Sequence, residues 1–388
     1  MRTSSSLPGR LALMVAHCAG MIDLVALPVW VGTLVSHFHL SPQAAGILAT
    51  LFLLGAVLAS LFVAPRFDRL PGRGVASVGF AVAAAAFAAL VLPQPLEVMA
   101  ALHGVAGLAA GAALSVTHGT VARSARPHRL FALVGMALGV FAILFLGATP
   151  PGVQAQGGWL LFAVFAGVMA VAAAVSALAF PAPDAGAPGV PRGPALRTPL
   201  PRVVWAGIFG VSAMALVQSM TFSFLERVGA DRGFGLAAVT GVLVALGVVN
   251  LFPAALAGAL ERRLPARWVL RTGPVVQAAL ALVIVNALSF APYAAAASVF
   301  AAVMIFTHTF AFGTLARLDP SGRALAATPA MLMAGAALGP ILGGTLVQWQ
   351  GYPALGWAAA AVGLVALLCF ARVRLPEGTP PPAQLKVA

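Results

Sequence analysis

Asp23 stands near the middle of the first long apolar run of the chain, with Gly20 and Pro28 as neighbours in sequence. A carboxylate at the centre of a bilayer costs roughly 2.5 to 3.5 kcal/mol even on insertion scales, so such a residue must face a water-filled cavity or a partner. What a carboxyl can do there is bind and release a proton. Gly20 and Pro28 suit a helix that bends around a cavity. Gln218, Asn250, Asn286 and His308 are also polar within apolar runs. Each could line a solute cavity or make one interhelical hydrogen bond, worth about 0.6 kcal/mol on average. His17 precedes Asp23 by six residues, which is about 120° around a helix, so the two are not read as one site. His118, near the end of its run, receives no role.

Enzyme constellations are missing from the sequence: there is no HExxH, no GxSxG and no pair of catalytic carboxylates. Cys18 and Cys369 lie in the first and last apolar runs without a CxxC or a cluster of His and Asp around them. They read as buried thiols, so neither a metal nor a cofactor is expected.

These residues need a lipid-embedded scaffold. The chain has 388 residues, 61% hydrophobic and 8% charged, with a mean hydropathy of +1.01, and a soluble surface cannot be covered with so few polar groups. Runs of about 20 residues cross a hydrocarbon core of roughly 30 Å as helices. Breaks at charged or proline-rich positions give spans at 12–35, 43–64, 75–92, 98–121, 130–149 and 159–180, then at 203–225, 235–257, 268–289, 293–315, 325–347 and 354–371. The first run is too long for the apolar core of a cleaved signal peptide.

A net charge of +13 would suggest nucleic acid in a soluble protein, but the charges fall between the runs and leave no basic groove. With the N-terminus inside, every Lys and Arg of the 22 except Arg227 and Arg232 falls on the cytoplasmic side. The expectation is a multi-pass protein of the cell's inner membrane with both termini cytoplasmic.

Residues 181–202 hold seven prolines and three glycines, a composition that neither spans nor packs as a helix, and they read as a cytoplasmic linker. Around it the chain repeats. Arg69-Leu70-Pro71-Gly72-Arg73 returns 194 positions later as Arg263-Leu264-Pro265-Ala266-Arg267, and Gly119-Thr120-Val121-Ala122-Arg123 returns at the same offset as Gly313-Thr314-Leu315-Ala316-Arg317. The chain is therefore read as a duplicated six-helix unit in parallel orientation: a bundle at 1–180, the linker at 181–202, and a second bundle with a short tail at 203–388.

The loop Ala64-Pro65-Arg66-Phe67-Asp68-Arg69-Leu70-Pro71-Gly72-Arg73 resembles the G-x-x-x-D-R-x-G-R-[RK] loop of the major facilitator superfamily, with Ala64 for the first glycine and one extra residue before Gly72. The resemblance covers about residues 10–372. It implies an all-α membrane fold of twelve helices in two pseudo-symmetric bundles. It also implies that Asp68, with Arg69 and Arg73, latches a cytoplasmic gate, although the arginines would serve equally as topological charges. In Leu102-His103-Gly104-Val105-Ala106-Gly107, His103 stands where the family pattern has an arginine four residues before a glycine. A titratable group thereby replaces a permanent charge. Gly335, Gly339, Pro340 and Gly343 resemble the glycine-proline motif of drug/proton antiporters, but they lie on the eleventh span rather than the fifth, and are read as helix packing.

The function expected is proton-coupled transport of a small, mainly apolar or amphipathic organic solute, by rocking of a monomer's two halves and in the direction of efflux. Asp23 would be the coupling acid and His103 its tuning partner. Uptake of a small organic acid by proton symport is the alternative. A sensor or scaffold that keeps the fold without transporting is the alternative of another class.

Overall fold

Hydrocarbon offers a backbone no hydrogen-bond partner, so a segment that crosses it must satisfy its own N–H and C=O groups. All regular structure is accordingly helical in the computed structural model, which describes residues 4, 6–182, 200–261, 263–319 and 328–373. The helices are α1 (Leu7–Gly20), α2 (Ile22–Ser36), α3 (Pro42–Val63), α4 (Gly72–Ala89), α5 (Leu96–Ala122), α6 (Pro127–Gln156), α7 (Trp159–Ala179), α8 (Arg202–Phe222), α9 (Leu225–Asp231), α10 (Leu236–Val249), α11 (Pro253–Leu260), α12 (Ala266–Asn286), α13 (Phe290–Leu318), α14 (Thr328–Gln350) and α15 (Tyr352–Ala371). Among the described residues they make twelve spans long and apolar enough to cross a membrane, as expected.

Three spans are interrupted. Between α1 and α2 the break falls on Met21 (φ −105°, ψ 18°), beside Gly20; Pro28 lies inside α2 without breaking it. The seventh span breaks between α8 and α9, and the eighth between α10 and α11. Hydropathy averages over a window wider than one residue, so the twelve runs gave no sign of these interruptions. The loop after α3 is a 3₁₀ segment, Ala64–Arg69, rather than irregular chain.

The duplication is written into the backbone as well. Gly157 (φ 105°) turns the chain between α6 and α7, and Gly351 (φ 75°), 194 positions on, turns it between α14 and α15. His39 (φ 53°) and Gly233 (φ 73°), at the same offset, shape the turn after the first span of each half. Left-handed backbone suits glycine, so His39 holds this conformation at a cost its equivalent avoids.

Where helices meet, small residues bring the backbones together. A Cβ on Gly107 of α5 would collide with the Phe52 carbonyl of α3, and one on Gly111 with the backbone of Ala56. In the second half Gly335, Gly339 and Gly343 of α14 face α8, where a Cβ would meet Ser212 O, Met220 N or Met220 O. Among the described residues the halves join through α3 on α14, α6 on α10, and α2 on both α9 and α8.

Two glycines one turn apart on α5 give a test of this packing. Gly107→Val should destabilise the purified protein by about 1 to 3 kcal/mol through overpacking against Phe52. Gly104, with nothing within 4 Å of its would-be Cβ, should accept Ala with a change below about 0.5 kcal/mol. Equal losses in a thermal-unfolding comparison would contradict the packing described.

Candidate functional site

Asp23 lies in the first turn of α2, immediately after the break at Met21, and is buried. The first amides of a helix have no partner within it, and the Asp23 carboxyl stands beside those of Leu24 and its own residue. The acid thus serves the restart of an interrupted span, at the depth where that span loses its own hydrogen bonding. Among the described residues Asp23 and Asp319 have side chains almost wholly shielded, and of these Asp23 lies within a spanning helix; Glu226 of α9, also within a span, is partly buried.

His103 is not beside it. Its ring stacks on Trp30, with centroids 5.4 Å apart and 26° between planes, in a cluster with Phe87 and Phe162. Trp30 is seven residues beyond Asp23 on α2, about 10 Å along the axis. His103 Nδ1 lies 2.7 Å from Met99 O, so Nδ1 carries the proton, and buried Nε2 has no partner among the described residues. The arrangement therefore does not supply a direct Asp23–His103 contact, and tuning of one by the other would have to act over two helical turns.

A different pair is brought together. His17 Nδ1 of α1 and His118 Nε2 of α5 are 3.0 Å apart, with ring centroids at 5.1 Å, and Phe131 flanks His118. One imidazole donates and the other accepts. Only with both rings charged would two N–H groups face each other here; a single added proton leaves one ring to donate and the other to accept. The 101 residues separating the two hide the pair in sequence; the only signal was the presence of a histidine in each of two apolar runs.

The other expected cavity residues scatter. Gln218 accepts at 3.2 Å from Nε2 of Gln277 on α12, a buried residue not singled out in the sequence, and the same nitrogen lies 3.2 Å from Met214 O. Asn250 caps α10 at the break before α11, with Oδ1 buried and without a partner among the described residues. His308 Nδ1 is likewise buried, its ring stands near the Met304 backbone, and it lies 4.9 Å from the ring of Phe312. Asn286, expected as a cavity residue or an interhelical hydrogen bond, stands at a helix end. It is the last residue of α12, exposed, and donates back to Leu282 O at 2.9 Å.

In the loop after α3, Asp68 forms an ion pair with Arg123 at the C-terminal end of α5, and the Arg123 guanidinium lies 4.5 Å from the centroid of Phe67. Arg73 donates from Nε to Ala177 O, in the last turn of α7, at 2.6 Å; Arg69 is exposed. The loop thereby ties α3 and α4 to α5 and α7, all within the first half.

Contact between the halves is tightest toward the end of the bundle that carries Ser41 and Gln350. Pro340 has no N–H to give Ala336 O, and Ser219 Oγ of α8 supplies the missing bond at 2.7 Å. The next amide, Ile341 N, donates across the seam to Thr50 Oγ1 of α3 at 3.1 Å. A Cβ on Gly46 would strike Pro340 O, and one on Gly344 would strike Pro42 O. Nearby Gln43 Nε2 reaches Thr345 Oγ1 at 3.3 Å, and on α2 a Cβ on Gly32 would collide with the Glu226 carboxylate of α9.

The sequence profile described as Major Facilitator Superfamily matches residues 12–320. No curated protein matches the chain. Among solved structures it is similar to a bacterial homolog to human lysosomal transporter Spinster in inward-facing and occupied conformation, with TM-score 0.70 over 95% of each chain at 16% identity. It is also similar to the nucleoside transporter NupG, with TM-score 0.71 over 95% of this chain and 99% of that one at 14% identity. Identities this low show a common fold alone.

Double-mutant cycles on unfolding separate the two pairings. His17→Ala and His118→Ala should couple by about 0.5 kcal/mol or more, whereas Asp23→Asn and His103→Ala should add within about 0.5 kcal/mol. Strong coupling in the second cycle would show that those side chains share one network.

Proposed function

The chain belongs to the Major Facilitator Superfamily and is a multi-pass membrane transporter of a solute; from that premise we propose that it moves a small, mainly apolar or amphipathic organic molecule by alternating access, driven by protons and in the direction of efflux. The observation that carries the proton coupling is Asp23, a buried acid at the interruption of the first span. Interrupted helices are where secondary transporters bind substrates and ions, because the freed backbone groups line a cavity there. A proton on Asp23 removes a charge from the joint between α1 and α2, and a change at that joint moves α2 against α9 of the other half. Proton and solute alter each other's occupancy if both bias that same seam.

A substrate lacking fixed charge fits the scarcity of charged groups within the spans. The positive-inside distribution of arginines supports cytoplasmic termini and a place in the cell's inner membrane. We keep the boundaries of the two bundles at 1–180 and 203–388. Residues 183–199 of the linker lie outside the described residues.

Asp68 acts in this reading on rate. Its pair with Arg123 holds the end of the first bundle opposite the tight seam, and both side chains are partly exposed, at 51% and 29%. Exposed pairs contribute about 0 to 1 kcal/mol, so this one biases a conformational equilibrium without deciding whether the protein folds.

Two measurements test these roles. Once thermal stabilisation across a compound library has identified a ligand, Asp23→Asn should lower pH-gradient-driven flux in proteoliposomes at least about tenfold, a change of ~1.4 kcal/mol or more. Substrate exchange without a gradient should survive. Full gradient-driven flux in Asp23→Asn would remove the acid from the coupling and leave the His17–His118 pair as the proton carrier. Asp68→Asn should slow transport while moving unfolding stability by no more than about 1 kcal/mol. An unchanged rate would reduce its loop to a topological signal.

A further inference from the structure

The offset of 194 that relates the halves carries Arg69 onto Arg263, Arg73 onto Arg267 and Arg123 onto Arg317, but it carries Asp68 onto an arginine at position 262. In the first half the guanidinium of Arg123 is neutralised by Asp68. In the second half the sequence has reversed the sign of that acid and kept the bases.

The consequence is a cavity of about 820 Å³ among the ends of α11 and α13 and the start of α12. Arg263, Arg267, Arg271 and Arg317 line it, with Glu261 as the one lining acid among the described residues. Arg271 and Arg317 are half-buried, and the Nε of each is buried with no hydrogen-bond partner among the described residues. A guanidinium N–H withdrawn from water and left unpaired is costly, and four cations facing one space repel each other. An anion between them relieves both terms. Guanidinium forks match phosphate oxygens in pairs, and a cleft lined by one sign of charge concentrates the opposite one. At the mouth, Trp268 is 56% exposed. Tryptophan is enriched at the level of lipid headgroups.

We propose that this cavity is a binding site for a phosphate-bearing anion, taken either from a phospholipid headgroup or from a water-borne phosphate. Arg271 and Arg317 hold the phosphate oxygens at its inner end, and Arg263 and Arg267 stand at its rim. Both α12 and α15, whose ends border the site, pack mainly on helices of their own half. The site is thus independent of the apolar solute path proposed above.

The test uses the full chain. Thermal unfolding in neutral detergent is followed with inorganic phosphate against chloride at matched ionic strength. Separately, lipid retained by the protein is measured by mass spectrometry after reconstitution into phosphatidylcholine nanodiscs with and without phosphatidylglycerol. Phosphate should stabilise the protein beyond chloride, or phosphatidylglycerol should be retained over phosphatidylcholine. Arg271→Gln with Arg317→Gln should weaken the effect at least about tenfold. If that variant fails to fold, Arg263→Gln with Arg267→Gln, on the exposed rim, makes the same comparison. A response to phosphate alone assigns a water-borne ligand, and one to phosphatidylglycerol alone assigns a lipid. If neither anion distinguishes the wild type from either variant, the cavity is not an anion site.

Discussion

A peptide group in hydrocarbon has nothing to bond with except its own chain, and the architecture answers that constraint at each level. Continuous helices satisfy it locally, which is why no other regular structure appears among the described residues. Once formed, such helices gain little by hiding apolar side chains from apolar lipid. Association then depends on close van der Waals approach and on scattered hydrogen bonds. Gly107 against Phe52, Gly111 against Ala56 and Gly335 against Ser212 show that approach taken to backbone contact. The same constraint governs the exceptions. A helix can be interrupted only where protein supplies the missing partners. At Pro340 the donor is Ser219 Oγ, 2.7 Å from Ala336 O. At Met21 the break is bridged by Met21 N donating to His17 O at 3.0 Å, with the Asp23 carboxyl beside the first amides of α2.

What could be read from sequence follows from how local each cause is. The twelve spans were legible because hydropathy is a property of a contiguous run, and the duplication was legible because two pentapeptides repeat at one offset. Asp23 stood out because a buried acid is expensive wherever the helix turns. The interruption beside it was less legible: Gly20 and Pro28 both invite a bend, and only packing decides that it falls at Met21. His17 and His118 could not be paired in advance, since their contact depends on how α1 is rotated against α5 across 101 residues. Asn286 misled for the complementary reason. Its run was judged apolar as a whole, while the residue itself closes the helix at its exposed end.

The two halves also show how a duplicated scaffold diverges without changing shape. The turns at Gly157 and Gly351 share a left-handed backbone, as do those at His39 and Gly233, so the chain path is preserved. The charges at the two repeated loops are not. The first loop carries its own counter-ion and knits four helices of one bundle together. The second carries cations around an open cavity. Since arginines at these loops also set topology, they can accumulate on this face without penalty to insertion, and the added arginine at position 262 strengthens the orientation signal. The topological demand and the anion-binding chemistry point the same way, which makes the reversal at position 262 inexpensive for the fold.

Alternating access requires the halves to separate at one end while meeting at the other, and the seam at Pro340 suits that demand. Within the second half the proline's orphaned carbonyl is bonded by Ser219, a contact between α8 and α14 that can persist as those helices move together. Across the halves, the segment at Pro340 offers Ile341 N to Thr50, and near the end Gln43 bonds Thr345 and Gln348. Hydrogen bonds of this kind are each worth about 0.5 to 1.5 kcal/mol net, and packing of Gly46 and Gly344 against carbonyls adds contact that lipid or solute can partly replace. A seam of this strength differs from its opened form by an energy that ligand binding can overcome, since a few kcal/mol of differential affinity suffices to invert a two-state population. A seam sealed by buried ion pairs would cost several kcal/mol per charge to open. The polar groups freed by one proline thus serve two ends: they fasten the moving unit internally, and they leave the contact between units weak enough to exchange.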